Sequence, residues 1–585
     1  MILDALLIQI STSYLHKEIR KNEPQLGQYY IAEYASQCGY NVKIKKYSTA
    51  KPILEDLIAL ARDTHARIIG FYVDSENLWF IRRLLYDIKK NLEHVFVVLG
   101  GPQVTGNPEL ALKRVPYADC AIIGEGEVPF FRLLALKDFR KDVLAGIPGV
   151  AFYNHKQEFI SSPPILADIN SYKFPKRHQY TLDDVIFDHI STGRGCVGHC
   201  AFCFEGSKTN TVLRLRSVES VIEEIDYVVN NLKNQQYISF LDDTFIIDRK
   251  RTELICNHLI TKYSGKIKWF CEARVDVLYK NLDLIPLMIS AGMSRVQLGG
   301  ESGTQEILNL YNKNMQLDEL KEVIRHLYAA GIDSIYVNFI VGGAKETFES
   351  FNNTLELAKE ILHIAPLCAE VGSSLFSPYV GTPMYNNPDK YGIKIIDKNL
   401  VTGPDGHTPF VETEALSRFE IMKLFKLFEA EISKSYFQII ERASTSQIFK
   451  LYNDAKLGMA TTWYEKCTMV ENIHNYFESI LSGGFQPLTQ LDSAELEMSV
   501  PFRTSQPVSD GEFYYREIFP KKYVKNSEFE NLVFMMSAGK LCFIEILNII
   551  SKRFPAESLS SVRDKVLNVY NQFDKEHIVV WKNKF

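Results

Sequence analysis

Two successive series of strand–helix alternation constrain the fold of this 585-residue chain more than any other feature. In the first, apolar runs at Ala5–Ile10, Asn41–Lys45, Ala66–Tyr72, Val95–Leu99 and Cys120–Ile123 alternate with helical patterns at Gln28–Gln37, Ile53–Arg62 and Leu78–Lys90. Strands apolar on both sides, each followed by a helix, form parallel sheets covered on both faces. The expectation is an α/β chain that opens with a doubly wound, Rossmann-like domain over residues 1–160. Such sheets bind ligands beyond the carboxyl ends of their strands. Polar and glycine-rich segments fall there: Ser11-Thr12, Tyr72–Ser75, Gly100-Gly101-Pro102-Gln103-Val104-Thr105 and Gly124-Glu125-Gly126-Glu127.

A proline-bearing stretch with little periodicity, residues 161–180, reads as a linker. The second series has strands at Phe187–Thr192, Tyr237–Leu241, Ile267–Glu272, Arg295–Leu298, Ile335–Val341 and Ala369–Ser374. Helical segments between them include Ser217–Asn230, Asp248–Tyr263, Gln316–Ala329 and Thr347–Leu362. Six βα units predict a (βα)6 partial barrel over 181–395, with its chemistry at the C-terminal strand ends. Beyond that the alternation stops. Phe419–Ser433, Phe437–Leu451, Glu465–Leu481 and Phe529–Lys552 read as helices, and 483–525 as irregular. A mainly α-helical, substrate-related domain is expected over 396–585. Its aromatics Tyr464, Phe477, Phe485, Tyr514 and Tyr515 suit a core better than a cavity wall.

Hydrophobic residues make up 46% and charged residues 23%, as in soluble globular proteins. The net charge of −5 and the lack of a long basic run exclude nucleic acid and anionic membrane as expected partners. The apolar run Leu532–Ile550 contains Lys540, Glu545 and Asn548, so no membrane span is expected. The N-terminus carries an acid where a signal peptide carries lysine. Seven of the ten cysteines are scattered singly, which suits free thiols in a reducing compartment, and the cytoplasm is the expected location.

The other three cysteines are clustered in Ser191-Thr-Gly-Arg-Gly-Cys196-Val-Gly-His-Cys200-Ala-Phe202-Cys203. Their spacing lets one loop wrap a compact inorganic cluster. A [4Fe–4S] cluster usually takes four Cys ligands, so three leave one iron open. Zinc is the alternative; its sites favour two separated ligand pairs, and no second pair lies nearby, although His199 sits within the loop.

This loop resembles that of the radical SAM enzymes. The resemblance continues through Phe240–Phe245, Trp269–Asp276, Val296–Gly303, Asn338–Thr347 and Phe376–Tyr385, which follow successive strands. Pro24–Gly27, Ile69–Phe71, Gly100–Thr105 and Gly124–Glu127 resemble the N-terminal cobalamin-binding domain carried by one branch of that family. The resemblance implies three cofactors: a [4Fe–4S] cluster on Cys196, Cys200 and Cys203, S-adenosylmethionine on its open iron, and cobalamin. It implies S-adenosylmethionine contacts from Phe202, Asp242, Glu272, Arg274, Gly299, Gly300, Glu301, Ser302, Gly342 and Gly343. It implies cobalamin contacts from Ser11, Thr12, Tyr72, Gly100, Gly101, Pro102, Gln103, Thr105, Gly124, Glu125, Gly126 and Glu127. Structural alternatives stand beside several of these. Asp242 and Asp243 suit helix capping, Gly342-Gly343 a tight turn, and Glu272 and Arg274 a mutual ion pair. Asp63-Thr-His65-Ala-Arg-Ile-Ile-Gly70 has two residues too many, and the wrong place, to match the Asp-x-His-x-x-Gly cobalt-ligating motif.

The implied reaction starts with one electron from an external flavodoxin- or ferredoxin-type donor. Cleavage of S-adenosylmethionine gives a 5′-deoxyadenosyl radical, which takes hydrogen from an unactivated carbon of a small molecule or peptide. Methylcobalamin then supplies methyl. A C-methyltransferase of metabolite or natural-product biosynthesis is therefore expected. A cyclase or ring-rearranging enzyme of the same fold is the alternative, and a non-catalytic cobalamin-binding sensor the remote one. A tRNA methylthiotransferase is disfavoured, for want of a second cysteine trio and a basic tail. No catalytic acid or base is assigned.

Overall fold

The structure, a computed structural model, describes residues 2–11, 25–49, 53–74, 77–182, 189–204, 212–231, 237–396, 409–456, 461–469, 471–506, 508–509, 514–518 and 522–583. Thr12, Pro24, Ser75 and Phe187, named above, lie outside the described residues. By their own contacts the residues form two compact units. One comprises Met1–Ile332, Tyr336–Leu357 and Gly372–Phe428; the other comprises Asp333–Ile335, Ala358–Val371 and Glu429–Phe585.

The N-terminal sheet contains β1 (Ala5–Ser11), β2 (Val42–Ser48), β3 (Ile68–Tyr72), β4 (Phe96–Gly100), β5 (Cys120–Ile122), β6 (Val150–Tyr153) and β7 (Phe159–Ser161), in the order β2-β1-β3-β4-β5-β6-β7. The first five are parallel. Alternating residues go to opposite cores. Leu6, Ile8 and Ile10 pack with Leu57 of α2 (Leu54–Thr64) and Ile81 and Leu85 of α3 (Leu78–Asn91). Ala5 and Leu7 pack with Tyr29 and Ala32 of α1 (Leu26–Gln37). Two-sided burial is why these strands read as continuous apolar runs. Chain order reverses between β1 and β3, the switch point where such sheets open a ligand crevice. α4 (Pro108–Arg114) and α5 (Glu127–Leu134) follow β4 and β5, and the antiparallel hairpin β6–β7 extends the edge. Asn154 makes its turn by accepting from the amides of Lys156 and Glu158, with Gln157 left-handed at φ 62°.

The central sheet contains β8 (His189–Ile190), β11 (Tyr237–Phe240), β12 (Lys268–Ala273), β13 (Met293–Glu301), β14 (Ser334–Val341) and β15 (Ala369–Leu375), neighbours in chain order. Sequential parallel pairing from β8 to β13 is that of a βα barrel. β9 (Gly193–Arg194) and β10 (Arg214–Leu215) form a short ribbon beside β8. The helices between strands are α6 (Val218–Asn231), α7 (Arg249–Tyr263), α8 (Leu317–Ala329) and α9 (Phe348–Ile364). Their starts follow local capping chemistry: Asp248 caps α7, and Gln316 with Glu319 forms a capping box on α8. β16 (Ile393–Ile395) and β17 (Val411–Thr413) form a further hairpin.

The C-terminal region differs from expectation in four places. Residues 419–451 were expected to break near Ser433; instead α10 runs unbroken from Arg418 to Ile440, followed by α11 (Thr445–Lys456). No Gly or Pro interrupts α10, and Ser435 turns its hydroxyl back to the Glu431 carbonyl. The expected helix over 465–481 is α12 (Thr461–Thr468) and α13 (Glu471–Leu481). The expected helix over 529–552 is broken between α14 (Glu528–Met536) and α15 (Phe543–Arg553), where Gly539 takes φ 77° and Glu545 caps the Cys542 amide. The stretch expected to be irregular holds β18 (Val500–Arg503) and β19 (Val508–Ser509), the latter sheeted with β20 (Tyr514–Ile518) and β21 (Lys522–Lys525). After α16 (Leu559–Lys575), β22 (Val579–Lys582) pairs antiparallel with β18, a partnership between distant segments that no local pattern signals. Val533, Phe534, Phe543, Ile546, Tyr570 and Trp581 form the core here. Phe477 is fully buried and stacks on Tyr452. The side chain of Tyr514 lies outside the described residues.

Candidate active site

The cysteine loop leaves the end of β8 and is tied to the end of β11. Asp242 accepts from the amides of Thr192 (2.7 Å) and Gly193 (2.8 Å) and from the Thr192 hydroxyl. Burial pushes its carboxyl above the usual range, against the pull of these hydrogen bonds. Asp242 thus anchors the cysteine loop and caps no helix; Asp248 does that for α7. Arg251 of α7 donates to the Thr192 carbonyl at 2.7 Å. Gly195 enters the loop at φ 88°, left-handed backbone that favours glycine.

The loop is clamped from the far side by the turn after β13. Ala201 donates to the Tyr311 carbonyl at 2.8 Å, and the Asn312 side-chain amide donates to the His199 carbonyl at 2.9 Å. Phe202 meets Tyr311 edge-on at 5.2 Å. Cys200 is buried, whereas Cys196 and Cys203 are partly open, and none forms a disulfide. Cys196 Sγ lies 3.7 Å from Thr244 Oγ1 and accepts from the Gly198 amide at 3.3 Å.

Two cations act on Cys200, one of them in contact with it. Arg274, at the end of β12, directs Nη1 to Cys200 Sγ at 3.6 Å and donates Nη2 to the Lys313 carbonyl at 2.9 Å. Its acidic partner is Asp276, at 3.0 and 3.1 Å, rather than Glu272. Glu272 instead accepts from Gln297 at 3.3 Å, and burial raises its pKa. Gly198 makes Arg274's approach possible, because a Cβ there would collide with Nη1. Lys313, absent from the residues expected from sequence, is buried with Nζ 2.6 Å from Glu301 Oε1 and 5.9 Å from the Phe202 ring. Burial opposes its charge, but Glu301 and Cys200 outweigh burial and raise its pKa. Glu301 ends β13 at φ 58°, a left-handed conformation uncommon for a residue with a side chain. A Cβ on Gly299 would strike the Glu301 carboxylate and Lys313 Nζ; one on Gly300 would strike Val337 and Phe339. Ser302 is buried and lies 3.5 Å from the Thr354 hydroxyl. Gly342, at φ 80°, donates its amide to buried Glu346, whose pKa burial raises to about 7. Gly343 leaves the space that the Tyr311 hydroxyl fills.

At the β1/β3 switch point lies a cavity of about 370 Å³. Tyr72, Gly100, Gly101, Gly124, Glu125, Gly126 and Glu127 line it together with apolar Leu7, Leu26, Ile31, Phe71 and Phe130. A second cavity, of about 710 Å³, shares Tyr72, Gly101, Gly124 and Glu125 with the first and adds Pro102 and Thr105. Ser11 and Gln103 line neither, among the described residues. Both cavities are also lined by Ser191 and Arg194 of the cysteine loop's approach and by Leu241 after β11. The two candidate sites therefore open onto common walls.

Glu125 and Glu127 are engaged in this seam. Arg194 pairs with Glu127 at 2.6 Å and Glu125 at 3.3 Å, and Arg214 pairs with Glu125. Arg194 also lies 5.1 Å from the Tyr30 ring and 5.8 Å from that of Tyr172. Burial alone would lift the Glu125 pKa; hydrogen bonds from Arg214 and the charge of Arg194 bring it below the usual range.

The donor set fits a thiolate-bound cluster: three unbridged thiols on one loop, with the Arg274 guanidinium against the buried one. Among the described residues no three His, Cys, Asp or Glu side chains gather closely enough to hold a single metal ion. The crevice fits a flat macrocycle. Gly27 and Gly100 line it, and a Cβ at either meets no protein atom within 4 Å. Among the described residues no helix is long and apolar enough to cross a membrane.

Comparison with known proteins agrees with both halves. The radical SAM superfamily profile matches residues 190–358, and the B12 binding domain profile matches residues 15–134. An uncharacterised methyltransferase of Pyrococcus horikoshii is 28% identical over 389 residues, 65% of this chain and 82% of that protein. The anaerobic magnesium-protoporphyrin IX monomethyl ester cyclase of Rubrivivax gelatinosus is 26% identical over 356 residues, 59% of this chain and 63% of that protein. The fold is similar to the cobalamin-dependent S-adenosylmethionine radical enzyme OxsB, solved with aqua-cobalamin and S-adenosylmethionine bound. The TM-score is 0.58 and the identity 16%, over 82% of this chain and 74% of that one. The chain therefore carries a B12-binding domain joined to a radical SAM domain, and these two domains imply a [4Fe–4S] cluster, S-adenosylmethionine and cobalamin as its cofactors.

Proposed function

We propose that the chain is a C-methyltransferase acting on an unactivated carbon of a small molecule or peptide. The carrying observation is the common wall: Ser191, Arg194 and Leu241 line cavities that also reach the glycine-rich strand ends of the B12-binding domain. A reaction passing a methyl group between two cofactors and a substrate needs them across one enclosed space. When bound, the cluster with S-adenosylmethionine supplies hydrogen-atom abstraction, and cobalamin supplies the methyl group.

The chain's own residues take supporting roles. Cys196, Cys200 and Cys203 hold the cluster, and Arg274 and Lys313 offset thiolate charge in a site of low dielectric. Phe202, Glu301, Ser302 and the turn at Gly342-Gly343 bound the space for S-adenosylmethionine. Asp242 acts through the backbone of the cysteine loop. The Arg194–Glu127 and Arg214–Glu125 pairs keep the two cavity walls in register. Electrons come from a one-electron donor protein of flavodoxin or ferredoxin type, and catalysis takes place in the cytoplasm.

Anaerobic protein reconstituted with iron, sulfide and cobalamin, then reduced with methyl-labelled S-adenosylmethionine and candidate substrates, tests the reading. The expected product carries the labelled methyl group and forms alongside S-adenosylhomocysteine. The resemblance to an anaerobic cyclase supports a second reading. An unmethylated, ring-altered product would establish that reading and overturn the first.

A further inference from the structure

The outer face of α3 carries aromatic rings and cations that the roles above leave unused. Leu78, Ile81, Leu84, Leu85 and Ile88 are buried on its inner side. Helical spacing then gathers Trp79, Arg82, Arg83, Tyr86 and Lys90 on the opposite stripe, and all five are exposed. Trp79 and Tyr86 keep 42% and 52% of their surface in solvent. Tyr117 meets Tyr86 edge-on at 5.3 Å and widens the aromatic strip. Arg82 lies 5.3 Å and buried Arg114 6.0 Å from the Trp79 ring, so cations hold the indole where it stands.

The charge on this face is unbalanced. Lys89 and Lys113 at its margins are paired with Asp119 and Glu109. Arg82, Arg83 and Lys90 form no ion pair among the described residues. Asp87 is the one acid on α3 and pairs with none of them. Three unpaired cations therefore stand together on a chain whose net charge is −5. Tyr, Trp and Arg are the residues in which protein interfaces are richest and which anchor them. Cations set among the rings select an acidic partner and steer its approach.

A second copy of the chain does not suit this face, because a two-fold contact would set its cations against their own copies. The place of the face in the fold points to a particular acidic partner. β3 leads from the cavities straight into this helix: Tyr72 lines both cavities, and buried Asn77 donates to the Tyr72 carbonyl at 3.1 Å. Trp79 stands two residues further on. The function proposed above draws its electrons from an external protein, and electron-transfer partners meet through small, electrostatically steered faces. Donors of the flavodoxin and ferredoxin type are acidic proteins. We propose that the exposed face of α3 is the docking surface for the acidic one-electron donor, with Trp79 and Tyr86 as anchors and Arg82, Arg83 and Lys90 as steering charges, an inference that rests on the donor requirement of that function.

The test is titration calorimetry of oxidised flavodoxin, and separately of a [2Fe–2S] ferredoxin, into anaerobically reconstituted full-length protein without S-adenosylmethionine or substrate. Wild type is expected to bind at least one of the two, ~10-fold more weakly at an ionic strength of about 0.15 M than at about 0.01 M. Arg82→Glu/Arg83→Glu is expected to weaken binding at least ~10-fold at low salt and to remove most of the salt dependence. Trp79→Ala is expected to lose ~10-fold at either salt concentration. Wild-type binding indifferent to salt overturns the docking surface, and this arm needs no variant to fold. Affinity equal in wild type and both variants overturns it, as does wild type that binds neither probe. Binding to phosphatidylserine vesicles or duplex DNA in place of both proteins overturns it as well. Protein reduced with titanium(III) citrate that cleaves no S-adenosylmethionine overturns the proposed function, and the inference with it, whereas failed binding beside normal cleavage overturns the docking surface alone.

Discussion

Lys313 Nζ lies 2.6 Å from Glu301 Oε1, with both side chains buried and Glu301 held in a left-handed conformation at the end of β13. A buried ion pair is strong evidence of constraint, since removing one partner strands the other charge in low dielectric. Lys313→Met is expected to destabilise the fold by ~3–5 kcal/mol. Lys313→Met/Glu301→Gln is expected to recover more than half of that loss. Urea unfolding of the two single variants and the double variant measures the coupling. Additive losses would mean that the pair is a contact without energetic linkage.

Gly198 faces a different constraint. A Cβ there would collide with Arg274 Nη1, and Arg274 cannot simply swing away because Asp276 and the Lys313 carbonyl hold its other nitrogens. Gly198→Ala should therefore move the guanidinium off Cys200 and weaken cluster retention. Iron and sulfide content after anaerobic reconstitution is expected to fall below half of wild type, with the apoprotein still folded by circular dichroism. Full cluster content in Gly198→Ala would show that Arg274 does not support the thiolate.

The strands were legible because burial on two faces leaves an unmistakable apolar run, and the cysteine loop because three thiols in eight residues have few other uses. Partners were less legible. An ion pair with Glu272, two residues before it, is the sequence's structural alternative to a cofactor contact for Arg274; the residue it meets is Asp276, two residues after it, because the chain turns into a helix at Val275 and brings Asp276 round. Lys313 carried only a weak signal, its place between Asn312 and Asn314, both left-handed and of the type that tolerates such a turn. Its pairing with Glu301 depends on β13 and the following turn closing on each other. Helix capping is the sequence's alternative to a cofactor contact for Asp242, but the backbone it serves is fifty residues earlier in the chain.

Glu346 predicts a pH dependence. Burial raises its pKa from 4.5 to about 7, so between those values the unfolded chain releases its proton while the folded chain keeps it. Stability from this group is therefore fully present below about pH 4.5 and is lost as pH rises toward 7. Glu346→Gln removes the titration while keeping an oxygen for the Gly342 amide. From pH 4 to pH 8 the variant's stability relative to wild type is expected to shift in its favour by on the order of 3 kcal/mol. Urea midpoints across that range measure the shift; parallel profiles would place the carboxyl's pKa near its ordinary value.

His577 predicts the opposite slope in the C-terminal unit. It is buried, its Nε2 lies 3.0 Å from the Thr445 hydroxyl, and its ring packs 5.1 Å from Tyr476 and 5.2 Å from Phe477. Burial lowers its pKa to about 4 from 6.5. Below pH 6.5 the unfolded chain takes up a proton that the folded chain refuses, so stability is full above 6.5 and falls by on the order of 3 kcal/mol by pH 4. The backbone there has φ 56°, which Asn tolerates better than most residues, so His577→Asn is the variant of choice. It is expected to lower stability at pH 7.5 through lost packing, yet to flatten the decline between pH 6.5 and 4. Hydrogen exchange of peptides from α13 and α16 at several pH values follows that unit directly. An unchanged acid slope in the variant would assign the proton uptake to another group and leave His577 as packing alone.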